Sequence, residues 1–242
     1  MILNAGQKMT FKRKLNMSII LLSNTYKNEN QSLLGDIKYL VRNADSVAYI
    51  PSAFDRYHDA FYSYVEPFFN EMGLNKVEYL GLEEADYNPD IKNILDACSV
   101  IFLGGGNTFH FLYWLRKRNL IDKLKELSKS KIIIGVSAGA LLLTPNISLS
   151  GDKNLILPSN DSLASIALTK FYIKPHFTDS LQNLHLIEDF RHNLPIEKLH
   201  PIYGIPDDGG IIVDDSNLST YGKVKVFYGE YISTKGKNSF LF

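Results

Sequence analysis

The stretch from Lys131 to Leu143, KIIIGVSAGALLL, constrains the fold of this chain more than any other. Ile132, Ile133 and Ile134 are β-branched and apolar, as expected of a strand buried on both faces. They run into Gly135-Val136-Ser137-Ala138-Gly139 and then into a small-residue apolar run that reads as a helix. G-x-S-x-G between a buried strand and a helix places a serine hydroxyl, exposed, on a sharp turn. A small-residue turn with no chemistry is the other reading of these five residues.

The chain around this stretch alternates between strands and helices. Residues 17–23, 46–50, 76–80 and 99–103 read as apolar strands, and residues 32–43, 59–72 and 91–97 as helices, with Gly73 as a C-cap. The strand over Ser99–Leu103 breaks into Gly104-Gly105-Gly106-Asn107-Thr108, followed by helices over 108–118 and 120–128. Near-continuous apolar strands separated by helices predict a doubly wound, mainly parallel α/β sheet. Beyond Ser137, a strand is expected over Ile166–Ile173, a helix over Leu181–Arg191 and a short strand over Pro201–Ile205. Residues 210–213, 220–221 and 224–228 read as a closing antiparallel meander. No repeat, low-complexity tract or linker divides the chain. The expected organisation is a loose N-terminal extension over 1–16 and a single α/β domain over 17–242.

Charge and cysteine content narrow the function classes. Lys+Arg and Asp+Glu both number 26, so the chain lacks the basic footprint of a nucleic-acid binder. The single cysteine, Cys98, excludes an internal disulfide framework and fits a reducing compartment. Its place at the head of an apolar run marks it as a buried residue and not a nucleophile. No stretch approaches the roughly 20 apolar residues of a membrane span. The apolar run over 19–22 is shorter than a secretory core of about 7–15 residues. The expectation is a cytoplasmic protein without membrane contact, monomeric or a small homo-oligomer. No histidine pair shows metal-ligand spacing with a carboxylate, so neither a metal nor a cofactor is expected.

A serine nucleophile needs a base, an acid to orient the base, and donors for the oxyanion. Gly104 to Gly106, Ser137, His176 and Asp207 each follow an apolar strand. Ligand sites of open α/β sheets gather at those carboxyl ends. The glycine run lacks dinucleotide spacing and a Gly-Lys-Ser/Thr ending, but Gly105 or Gly106 could present an amide to an oxyanion, with Ala138 as second donor. His176 follows Pro175, which enforces an extended approach. His185, His192 and His200 read as helix or surface histidines, and His58 lies in a polar segment. Asn107 and His110, just past the glycines, are candidates to line a substrate pocket. The acid has two candidates: Asp207, after Gly204-Ile205-Pro206, and Asp152, fifteen positions beyond Ser137 in a glycine-containing loop. Position at a strand end favours Asp207.

Four blocks together, GGGNTF (104–109), GVSAGA (135–140), PHFT (175–178) and GIPD (204–207), resemble dipeptidase E, the aspartyl dipeptidase family of serine peptidases. They occur in family order at similar spacing, and the likeness runs loosely from Met17 to about Val226. The resemblance implies a fold related to class I glutamine amidotransferases, with serine in place of their cysteine. It implies Ser137 as nucleophile, His176 as base, and the glycine-run and Ala138 amides as oxyanion donors. The family's orienting acid, usually glutamate, falls on Asp207, and a second acidic position with an argued relay role falls on Asp152.

Two departures stand out. Asp207 is shorter than the family's glutamate. Arginine on the segment after the histidine is thought to hold the substrate aspartate in the family. Here residues 177–191 contain one Lys or Arg, Arg191, the remaining candidate to bind substrate, beside Asp179, Glu188 and Asp189. The expected function is a serine exopeptidase acting on short peptides through an acyl-enzyme on Ser137. A cyanophycinase-like β-aspartyl hydrolase or an esterase would use the same triad. A binding module that retains the fold without turnover is the alternative of another class.

Overall fold

Parallel strands carrying the apolar runs form the frame of the structure. The computed structural model describes residues 17–25, 29–53, 61–158, 161–195, 199–214, 217–228, 231–235 and 239–241. The expected N-terminal extension and His58 lie outside these residues. β1 (Ser18–Leu22), β2 (Val47–Ile50), β3 (Val77–Tyr79), β4 (Val100–Leu103) and β5 (Ile132–Val136) are parallel. β8 (Gly210–Asp214), β9 (Asn217–Tyr221) and β12 (Ser239–Leu241) extend the sheet antiparallel, giving the order β12-β9-β8-β1-β5-β4-β2-β3.

Side chains alternate across this sheet, so each central strand feeds two apolar layers. Ile132, Ile134 and Val136 of β5 pack with Leu33, Ile37 and Val41 of α1 (Gln31–Val41) and Phe68, Phe69 and Met72 of α2 (Glu66–Met72). A π-helical turn, Phe61–Val65, leads into α2, and Gly73 caps it with φ +78°. Ile133 lies in the other layer with Phe111, Leu112 and Leu115 of α4 (Thr108–Lys117) and Leu124 of α5 (Ile121–Leu127). Cys98, which follows α3 (Ile91–Ala97), is buried, and burial pushes its thiol pKa up.

A second sheet lies beyond the nucleophile strand. It has four strands, ordered β11-β10-β7-β6: β6 (Tyr172–Pro175), β7 (Ile202–Ile205), β10 (Val224–Tyr228) and β11 (Tyr231–Lys235). β6 and β7 are parallel, and β10 and β11 are antiparallel to their neighbours. Tyr172, Ile173, Ile202 and Ile205 join the same apolar layer as Ile133, tying the two sheets together. The expected closing meander is thus split: β8 and β9 stay in the main sheet, whereas β10 crosses to the second.

The strand expected over Ile166–Ile173 begins only at Tyr172. The segment before it closes the end of the short helix α6 (Ala138–Leu142). Ile166 N donates to Leu142 O (3.0 Å) and Leu168 N to Leu143 O (2.8 Å), so these amides are occupied outside any sheet. α7 (Leu181–His192) follows β6, capped by Ser180 Oγ accepting from Asn183 N at 3.3 Å.

Candidate active site

Strand register brings the predicted residues level. Leu22 pairs with Val136, and Leu103 with Gly135, so β1, β4 and β5 end side by side at Ser23, Gly104 and Ser137. In the second sheet Pro175 pairs with Ile205, which sets His176 beside the Pro206-Asp207 turn.

The turn at Ser137 is tight because Gly135 and Gly139, two residues to either side, have no side chains. A Cβ on Gly135 would stand 2.6 Å from Gly139 O, and one on Gly139 would stand 2.1 Å from Leu103 O. Ser137 itself has φ +51° and ψ −108°. A non-glycine residue held in that region costs on the order of 1–3 kcal/mol, and such strain concentrates at functional sites. Hydrogen bonds from Ser137 N to Leu22 O (2.9 Å) and from Gly139 N to Gly104 O (3.0 Å) fix the turn.

Ser137 Oγ lies 2.8 Å from His176 Nε2, and His176 Nδ1 lies 2.5 Å from Asp207 Oδ1. With Nδ1–H donating to the carboxylate, Nε2 is left to accept the serine proton. His176 also has a left-handed backbone, φ +54°, and its amide donates to Ser23 Oγ at 2.6 Å. Ser23 is fully buried. Its hydroxyl thus holds the backbone of the candidate base, although no G-x-S-x-G or strand-end motif singles it out. The signal was present: it is the polar residue ending the apolar run MSIILLS, on the same sheet edge as Ser137.

The structure brings one of the two candidate acids to the histidine. Asp152 Oδ2 accepts from Thr108 N (2.7 Å), Thr108 Oγ1 (2.6 Å) and Ser150 Oγ (3.0 Å), holding the start of α4 just after the glycine run. The open alternative of Asp152 as orienting acid is therefore corrected. Asp152 braces the start of α4 just after the glycines, and Asp207 meets the imidazole. The two are separable by mutation. Asp207→Asn is expected to lower kcat about 10²-fold with little change in Tm. That is less than the roughly 10⁴-fold of a buried acid, because the Asp207 side chain is 66% exposed. Asp152→Ala removes a helix-start acceptor and should cost about 1–2 kcal/mol in chemical denaturation. Equal stability losses in both variants would contradict this division.

The glycine run lies beside the nucleophile. A Cβ on Gly105 would sit 3.7 Å from Ser137 Cβ, and Gly106 adopts φ +119°. Ala138 is the first residue of α6, where an amide has no partner within the helix.

Two of the three candidate substrate-binding side chains hydrogen-bond within the scaffold. Asn107 caps α4, accepting from His110 N at 3.0 Å and donating through Nδ2 to Lys153 O at 3.0 Å. His110 bonds Ser52 O through Nδ1 (2.7 Å), and its Nε2 accepts from Trp114 Nε1 (3.1 Å) near Glu83. Arg191 stands in the last turn of α7, ten residues and about 15 Å of helical rise from the end nearer His176. Asn107 and His110 are thus struts of the scaffold, and Arg191 lies at the far end of its helix.

Comparison with known proteins agrees with this architecture. The model of Peptidase family S51 matches residues 19–221. Peptidase E of a Nostoc species is 27% identical over 219 residues, covering 86% of this chain and 87% of that protein. A Drosophila melanogaster protein named "Probable alpha-aspartyl dipeptidase" is 32% identical over 139 residues, 57% of this chain and 54% of its own length. The crystal structure of a peptidase from an acI-B1 Actinobacterium superposes with a TM-score of 0.70 over 95% of this chain and 98% of its own, at 17% identity, and shares the fold. Because the matched span runs from β1 to β9 and takes in the strand ends that carry Ser137, His176 and Asp207, the chain belongs to Peptidase family S51, the serine-type peptidases.

Proposed function

We propose that the protein is an exopeptidase that cleaves short peptides through an acyl-enzyme on Ser137. The observation that carries this reading is the hydrogen-bonded chain Ser137 Oγ, His176 Nε2, His176 Nδ1, Asp207 Oδ1 at aligned strand ends. Ser137 Oγ attacks the scissile carbonyl while His176 Nε2 takes its proton. Asp207 holds the tautomer and stabilises the imidazolium. The amides of Gly105 and Ala138, with Gly106 setting the loop, receive the oxyanion. The imidazolium then protonates the leaving amine. Water, deprotonated by the same imidazole, hydrolyses the ester and restores Ser137. One catalytic domain beginning near Met17 carries the whole constellation.

Fluorophosphonate labelling and a dipeptide panel test this reading. The expected result is one adduct, mapped to Ser137, and cleavage of α-linked dipeptides. Cleavage confined to β-aspartyl dipeptides would replace the substrate class. An adduct on another residue would overturn the mechanism. Among the described residues no helix is long and apolar enough to cross a membrane.

A further inference from the structure

Burying a lysine is costly unless its charge is matched. Lys174, on β6 two residues before His176, is only 8% exposed. Its Nζ donates to Pro175 O at 3.1 Å, which leaves two of the ammonium's three donors unassigned among the described residues. Burial pushes its pKa down, and the Asp152 charge pushes it partly back. Asp152 nevertheless forms no ion pair with it; Oδ2 of that carboxylate is committed to Thr108 and Ser150.

The ammonium therefore sits one peptide from the base, between a strand end and the loop that braces the glycine run, without an anion in contact among the described residues. The wall on that side is Gly151. A Cβ there would stand 4.0 Å from Nζ, and glycine leaves that space open. Gly151 and Asp152 are both exposed, so the ammonium lies just beneath the surface of the loop that follows α6.

We propose that Lys174 is a specificity-determining residue whose ammonium binds a carboxylate of the peptide substrate. The proposal rests on the exopeptidase reading for its substrate class. It supplies from the strand before the histidine the cation that residues 177–191 lack near the site. Two carboxylates of a short peptide have the required chemistry: the side chain of an acidic N-terminal residue, and the free C-terminus.

Four substrates separate the sources: Asp-Leu, Asn-Leu, Asp-Leu-amide and Asn-Leu-amide. Wild type is expected to favour one carboxylate over its amide. Lys174→Met should collapse that preference by about 30- to 100-fold in kcat/KM, mainly through KM, as for a lost charge-assisted hydrogen bond. Lys174→Gln should do the same. Thermal melting of both variants checks folding, because a buried lysine is often replaced by an apolar isostere without loss. Loss of the Asp over Asn preference assigns the side chain; loss of the acid over amide preference assigns the C-terminus. An equal fall on all four substrates, or none, would overturn the proposal. Calorimetry of Asp-Leu binding to Ser137→Ala, with and without Lys174→Met, reads the same contact without turnover. If wild type cleaves nothing, the exopeptidase reading falls while this binding comparison still decides Lys174.

Discussion

Ser137→Ala is expected to lower kcat/KM on a cleaved dipeptide by about 10³-fold or more, with Tm nearly unchanged. Among the described residues the hydroxyl hydrogen-bonds to His176 Nε2, and its removal leaves the turn, the glycine run and the backbone bonds of Ser137 and Gly139 in place. What persists would be the contribution of substrate binding and the oxyanion donors, which in other serine hydrolases still exceeds the reaction in water by about 10³–10⁴-fold. Initial rates at fixed enzyme, together with loss of the fluorophosphonate adduct, check the result. A variant that keeps more than a few per cent of wild-type activity would place the nucleophile elsewhere.

Gly139→Ala should be severely damaging for the addition of a single methyl. Its Cβ would meet Leu103 O at 2.1 Å, Leu103 C at 2.6 Å and Gly104 O at 2.8 Å. All three are backbone atoms, so no rotamer change relieves the overlap. β4 and α6 would have to part, and the Gly139 N to Gly104 O bond would go with them. Overpacking usually costs about 1–3 kcal/mol, and this backbone collision belongs at or above the upper end. For a chain of this size that corresponds to a Tm fall on the order of 10 °C. Activity should disappear as well, because Ser137 rides on the same turn. Gly35→Ala is the matched control. Gly35 lies on the exposed face of α1 with nothing within 4 Å of its would-be Cβ. Alanine there should stabilise by about 0.5–1 kcal/mol. Thermal melts of the two variants side by side would show opposite signs; two falls of similar size would contradict the elbow geometry.

The local sequence determined the parallel frame and the reactive turn. Runs such as IIIGV and VIFL can satisfy their backbone only in a sheet and their side chains only under cover on both faces. Gly135 and Gly139 flank Ser137 because any Cβ there collides with backbone. His176 and Asp207 were also legible, since each ends an apolar run.

Tertiary structure decided what spacing cannot encode. Asp152 and Asp207 look alike in sequence as carboxylates after glycine-containing segments. Only the pairing of β6 with β7 in a separate sheet delivers Asp207 to the imidazole, while the loop after α6 carries Asp152 to Thr108. Ser23 meets His176 across 153 positions, and Asn107 and His110 turn inward to hold α4. Lys174, which directly follows the apolar run Ile166–Ile173, is a buried cation only in the folded protein, where β6 pairs with β7 and Gly151 lies beside its ammonium. Backbone and apolar pattern are local properties, written residue by residue. Which polar group meets which depends on how separate strands come together, and that is settled only when the two sheets pack.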